Sequence, residues 1–314
     1  MLVWYPADRA PEADWFAGSP SDPLFHLGRS AEGVPVSKSN TKYPLIVLSH
    51  GTGGSAQMLA WLGEELARAG YVVAAVNHHG NTSAESSPAA APYGFMLWWE
   101  RATDLSRVVD SLLKDSQFAA SIDLTKIGAA GFSLGGYTVL AVVGAKTSLT
   151  QWGEFCGSPR RDATCEAQPE FPEMFAAFEK VRQEPVVRAS LERSGDSFRD
   201  PRFLAVFAIA PVGSWLTSDS LSTIKVPVRL VVGTADRTAP AAAHGQRIAE
   251  LVPGARLSLL EGVSHYSFLA ECMPLGSRQL PNLCQEQPGV ERSATHKTVA
   301  MDAVGFFNQI FRTH

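Results

Sequence analysis

The chain has 314 residues, 45% of them hydrophobic and 18% charged, with a formal net charge of −4. That composition excludes a disordered polymer, and the lack of any basic stripe argues against a nucleic-acid partner. The longest apolar runs, such as Phe203 to Pro211, are strand-length and fall short of the roughly 20 residues that an integral membrane helix needs.

The first residues, MLVWYPADRA, lack the basic n-region and long apolar core of a signal peptide. They read as a strand from Leu2 to Tyr5 stopped by Pro6, and a chain opening inside a strand is expected to be trimmed or to have a leader missing from this numbering. Strand-like and helix-like segments then alternate, without internal repeats, as in a mostly parallel sheet flanked by helices. Leu45 to Ser49 (LIVLS) is a strand buried on both faces, and Gln57 to Ala69 is a helix ended by Gly70. Tyr71 to Val76 is the next strand. Trp98 to Lys114 is a helix with Leu105, Val108, Val109 and Leu112 on one face. Lys126 to Phe132 is a strand and Leu134 to Val143 a helix. Phe203 to Ala210, Val228 to Val232 and Arg256 to Leu260 continue the strands, and Pro240 to Leu251 and Thr295 to Phe311 supply later helices.

Lys146 to Arg202 breaks this rhythm, with no strand pattern. Phe171, Met174, Phe175, Phe178 and Val181 give it one apolar helix face. The expected organisation is a core from 1 to 145, a helical cap insertion from 146 to 202, and the rest of the core from 203 to 314. A peripheral helix away from any substrate is the alternative reading of the insertion. A second irregular stretch runs from Ala270 to Arg292.

Each irregular stretch holds two of the four cysteines, Cys156 with Cys165 and Cys272 with Cys284. An even count in loop-like segments points to two local disulfides and an oxidising compartment, although four cysteines allow three connectivities. Four reduced thiols in a cytoplasmic protein are the alternative. The spacings are too wide for a zinc site, so no metal is expected.

Gly131-Phe132-Ser133-Leu134-Gly135 is a G-x-S-x-G motif between an apolar strand and an apolar helix, the context of a nucleophile elbow. The serine must sit on a tight strand-to-helix turn, where side chains at 131 and 135 would collide with backbone. Upstream, Ser49-His50-Gly51-Thr52-Gly53-Gly54 follows the LIVLS strand where an oxyanion loop belongs. The backbone N–H groups of Thr52 and Leu134 are the candidate donors, and His50 is expected to brace the loop. Asp236 lies in the loop after the LVVG strand and is the candidate orienting acid, ahead of Asp219 and Glu261. Among eight histidines, His265 alone follows the acid strand in a short loop and is the candidate base. The order Ser, Asp, His, each at the carboxyl end of a strand, fits an open α/β sheet with its site at that edge. His79, Trp215 and Tyr266 are the candidate substrate-binding residues.

The stretches VWYPA, LIVLSHGTGG, YVVAAVNHHGNT, IGAAGFSLGG, GTADRTAP and GVSHYSF together resemble the dienelactone-hydrolase-like and platelet-activating-factor-acetylhydrolase-like group of α/β hydrolases. The resemblance covers most of the core but not the cap. It implies the α/β-hydrolase fold and a serine esterase acting on a small-molecule ester, with no cofactor. Dienelactone hydrolases use a cysteine where this chain has Ser133, which departs from that chemistry. Relatives of this kind are often exported, which agrees with a periplasmic or secreted placement. An amidase, thioesterase or acyltransferase would use the same triad. A non-catalytic binding protein on the same fold would be expected to lack a triad member. Acyl length, leaving group and oligomeric state leave no mark in the sequence.

Overall fold

The computed structural model describes residues 1–8, 10–39, 42–85 and 91–311. In chain order the strands are β1 (Leu2–Trp4), β2 (Ala13–Ser19), β3 (Asp22–Ser30), β4 (Tyr43–Ser49), β5 (Val72–Val76), β6 (Ile122–Phe132), β7 (Phe203–Ile209), β8 (Val228–Gly233), β9 (Arg256–Leu260) and β10 (Glu271–Cys272). The helices are α1 (Ala60–Arg68), α2 (Ala91–Met96), α3 (Arg101–Leu112), α4 (Leu134–Val142), α5 (Leu149–Cys156), α6 (Met174–Val181), α7 (Pro185–Glu192), α8 (Ser218–Ser222), α9 (Arg247–Leu251), α10 (Pro274–Gln279), α11 (Pro281–Cys284) and α12 (Arg292–Phe311).

Seven strands form the central sheet in the order β1-β5-β4-β6-β7-β8-β9. Only β1 runs antiparallel, pairing Leu2 with Ala75 and Trp4 with Val73. The other pairs are parallel, as the alternation of strands and helices requires. Side chains alternate along each strand and so build two cores. Leu45, Val47, Val72 and Ala74 pack with Leu105 and Val109 of α3 and Leu140 of α4. Ile46, Leu48, Val73 and Ala75 pack with Leu62 and Leu66 of α1 and Val299 and Phe307 of α12. Burial on both faces explains why these strands are apolar throughout.

A second sheet, in the order β10-β3-β2, is antiparallel and rests on α1. It lies outside the elements expected from the sequence. Along β2 only Trp15 and Ala17 are half-buried, so its apolar pattern is too sparse to mark a strand. The stretch from Ala270 to Arg292 is likewise less irregular than expected, holding β10, α10 and α11. The helix expected from Pro240 begins as a wider π-type turn, Ala242–Gln246, before α9. From 146 to 202 the described residues carry α5, α6 and α7 and no strand.

Two disulfides are present, Cys156–Cys165 and Cys272–Cys284, spanning 9 and 12 residues. The second ties the edge strand β10 to α11. Beside it Arg292 donates to Ala270 O at 3.0 Å and Leu283 O at 2.6 Å. Closing a loop of this size removes denatured-state entropy equivalent to about 2–3 kcal/mol. Replacing Cys272 and Cys284 together by serine should therefore lower stability by about that amount, read as a lower urea midpoint without reductant. An unchanged midpoint would show that the bridge contributes nothing to stability.

Candidate active site

Ser133 sits between the end of β6 and the start of α4 with φ 56° and ψ −118°. Among the described residues only Ser133 and Ala210 combine positive φ with a side chain, and they end the neighbouring strands β6 and β7. The turn is held there by hydrogen bonds. Ser133 N–H donates to Ile209 O at 2.8 Å, and Val212 N–H donates to Ser133 O at 3.3 Å. The flanking glycines are required by close approach. A Cβ on Gly131 would lie 2.3 Å from Gly135 O, and one on Gly135 would lie 1.9 Å from Ser49 O. The strain therefore comes from wedging α4 directly against the end of β4.

His265 opens a short turn, His265–Phe268, after β9. Its Nδ1 is 2.7 Å from Asp236 Oδ2 and its Nε2 is 2.9 Å from Ser133 Oγ. The other Asp236 oxygen, Oδ1, accepts N–H groups of Thr238 at 2.9 Å and Ala239 at 2.7 Å. A carboxylate so held accepts the Nδ1 proton, leaving the Nε2 lone pair facing the serine hydroxyl. All three side chains are buried. Asp219 and Glu261, the rival acids, are exposed.

The turn bearing His265 is braced from beneath. Ser264 and Ser267 cap it reciprocally. Ser267 Oγ donates to Glu286, which pairs with Arg292 at 2.6 Å. His296 Nε2 donates to Ser267 O at 3.1 Å, while its ring stacks on Trp61 at 4.3 Å. Burial pushes His296 down to about 3, so its ring is neutral near pH 7. Trp61 Nε1 donates to Phe268 O at 3.0 Å.

Thr52 follows β4, and Leu134 opens α4. Among the described residues neither backbone N–H has a hydrogen-bond acceptor, and both residues line the cavity that contains Ser133. Two groups hold the Thr52 loop in place. Gly53 N–H donates to Asn81 Oδ1 at 3.0 Å, and buried Arg101 donates to the same oxygen at 3.1 Å and to His50 O. His50 accepts the His78 N–H on Nε2 at 3.2 Å, while its Nδ1 donates to Gly51 O at 2.6 Å. His78 in turn bridges Ser49 Oγ at 2.9 Å and Asp104 at 2.8 Å. Burial and the nearby Arg101 hold both histidines well below the ordinary imidazole range. Burial also pulls the guanidinium of Arg101 down to about 9, where it is still charged near neutrality. Ser49 is fully buried, so this second Ser–His–Asp series braces the loop and cannot meet a substrate.

Asn81, Arg101 and Asp104 were not anticipated from the sequence. Arg101 did leave a signal, since it lies four residues before Leu105 on the apolar stripe of α3, where an unpaired charge is not tolerated. Of the candidate substrate contacts, Trp215 lines the cavity. Tyr266 stands edge-on to His265 at 5.3 Å, and burial raises its hydroxyl to about 12. His79 is misplaced by the sequence reading. Its side chain is 93% exposed and pairs with Glu85 at 2.9 Å, outside the cavity lining. Adjacent residues leaving a strand point to opposite sides, and it is His78 that turns inward.

The cavity has a volume of about 100 Å³, and six aromatic side chains line it, Phe95, Trp98, Trp152, Phe171, Phe175 and Trp215. Phe171 and Phe175 come from the 146–202 insertion, and Phe171 packs on Phe95 at 4.7 Å. Among the described residues no cluster of His, Cys, Asp and Glu could hold a metal ion. Gly135→Ala should destabilise the protein by about 3 kcal/mol or more, because the added methyl meets backbone rather than a movable side chain. A wild-type melting temperature for that variant would contradict the wedge geometry.

Residues 29–91 match the family described as platelet-activating factor acetylhydrolase, isoform II. The platelet-activating factor acetylhydrolase of Cavia porcellus is 26% identical over 33% of this chain and 32% of its own length. Cutinase est2 of Thermobifida alba is 29% identical over 36% of this chain and 34% of its own. This chain thus spans about a third of the length of the curated relatives it matches. A solved ferulic acid esterase from Streptomyces cinnamoneus superposes with a TM-score of 0.56, covering 88% of this chain and 69% of that one at 20% identity. With its seven-stranded, mostly parallel sheet flanked by helices, the chain has the α/β-hydrolase fold.

Proposed function

We propose that the chain is a serine carboxylic ester hydrolase working through an acyl-enzyme. The observation that carries this reading is the hydrogen-bonded series Ser133–His265–Asp236, gathered from the ends of three strands and facing two unpartnered backbone N–H groups. His265 takes the Ser133 proton as Oγ attacks the ester carbonyl carbon. The Thr52 and Leu134 N–H groups, with the positive end of α4, hold the oxyanion. Asp236 fixes the imidazole orientation and stabilises the imidazolium. Collapse expels the alcohol, which receives the proton from His265. A water then gives its proton to His265, attacks the acyl carbon, and the acid leaves with Ser133 restored.

The names of the relatives and of the structural neighbour, an acetylhydrolase, a cutinase and a ferulic acid esterase, all denote ester cleavage. On this reading the 146–202 insertion is a cap whose aromatic residues form the acyl side of the cavity. The two disulfides, Cys156–Cys165 and Cys272–Cys284, favour an oxidising, extracytoplasmic compartment.

Ser133→Ala and His265→Ala should each lower kcat/KM on p-nitrophenyl esters by about 10³-fold or more, with the melting temperature close to wild type. Asp236→Asn should lose as much or somewhat less, because it spoils the tautomer but leaves the nucleophile in place. A folded Ser133→Ala protein with near-wild-type turnover would refute the assignment.

A further inference from the structure

One buried imidazole outside the triad fastens two walls of the cavity. His244 is fully buried in the π-type turn Ala242–Gln246. Its Nδ1 accepts the N–H groups of Gly213 at 3.0 Å and Ser214 at 3.2 Å. The ring proton is therefore on Nε2, which donates to Asp162 Oδ2 at 2.9 Å. The remaining oxygen of Asp162 accepts Thr164 N–H at 3.0 Å. Asp162 lies inside the loop closed by Cys156–Cys165, and the residues directly after it, Ala163 and Thr164, line the cavity at Ser133. Gly213 and Ser214 lie between Val212 and Trp215, which line the same cavity.

We propose that Asp162 and His244 are positioning residues that set the width of the acyl cavity, with Cys156–Cys165 holding Asp162 in register. This rests on the reading of that cavity as the acyl site of a serine esterase. The wall formed by 163 and 164 has no strand to support it, so its distance from the 212–215 wall is fixed by what connects the two. The space at Ser133 is about 100 Å³ and partly open to solvent. The spacing of these two walls therefore decides how closely an acyl chain is gripped as it leaves Ser133, and a narrow spacing disfavours long chains for as long as the walls stay fastened. Neither Asp162 nor His244 touches Ser133, His265 or Asp236, so loosening them should change which acyl groups fit and leave bond cleavage alone.

The test compares kcat and KM on p-nitrophenyl acetate and octanoate for wild type, Asp162→Ala, Asp162→Asn, and the double variant Cys156→Ser with Cys165→Ser. Asp162→Ala should raise the octanoate-to-acetate ratio of kcat/KM by about tenfold, mostly through KM on octanoate, with kcat on acetate within about threefold of wild type. The cysteine double variant should shift the ratio in the same direction. Asp162→Asn keeps an acceptor for Nε2–H and should stay near the wild-type ratio. An unchanged ratio in the cysteine double variant and in Asp162→Ala, or an equal loss on both esters, would overturn the proposal. If Asp162→Ala does not fold, the cysteine variant decides alone. Failure of the esterase reading would show separately, as activity that survives Ser133→Ala.

Discussion

The site depends on one backbone constraint, the positive φ of Ser133 where β6 turns into α4. A serine pays for that conformation with strain, and the strain persists because the turn is fixed on both sides. Ile209 and Val212 hold its backbone from the β7 side, and the missing side chain of Gly135 lets α4 approach Ser49 O. The same approach brings the start of α4 beside the Thr52 loop, so the elbow and the two free N–H groups are consequences of a single packing choice. Ala210, also at positive φ, ends the neighbouring strand just before Val212 and Trp215, which line the cavity.

Around that constraint the protein places rigid supports rather than further reactive groups. The Thr52 loop hangs on Asn81 and the buried guanidinium of Arg101. The His265 turn stands on Ser267, Glu286, Arg292 and His296. Both supports contain imidazoles that burial keeps neutral, which suits groups whose task is to donate and accept single hydrogen bonds in fixed directions. A buried polar network of this kind is worth having only when nearly every member is satisfied. Arg101 nearly meets that demand, with only its Nε unpartnered.

How much of this was legible in the sequence follows from how local each feature is. Thr52, Ser133, Asp236 and His265 each come within five residues of the end of a strand whose last residues are apolar or small, so strand, turn and reactive side chain fall within a few positions. The sheet was legible for the same reason. His79 shows the limit. YVVAAV is apolar on both faces, so it has no polar alternation to say which of two successive histidines faces inward. The small sheet of β2, β3 and β10 was hidden because it covers α1 with few buried side chains. The other supports of the Thr52 loop, Asn81 and Arg101, were hidden because they reach it and His50 only in three dimensions. Asp162 and His244, 82 residues apart, are an extreme case of the same kind.

The central claim is that the hydroxyl held at the β6–α4 turn is the group that becomes acylated. Incubation with a fluorophosphonate, followed by intact mass and peptide mapping, reads this without reference to any one ester. The expected result is a single phosphonyl adduct on Ser133, formed at a rate that collapses in His265→Ala. An adduct on a different serine, or an unmodified Ser133 in protein whose ester hydrolysis has been abolished by the reagent, would contradict it.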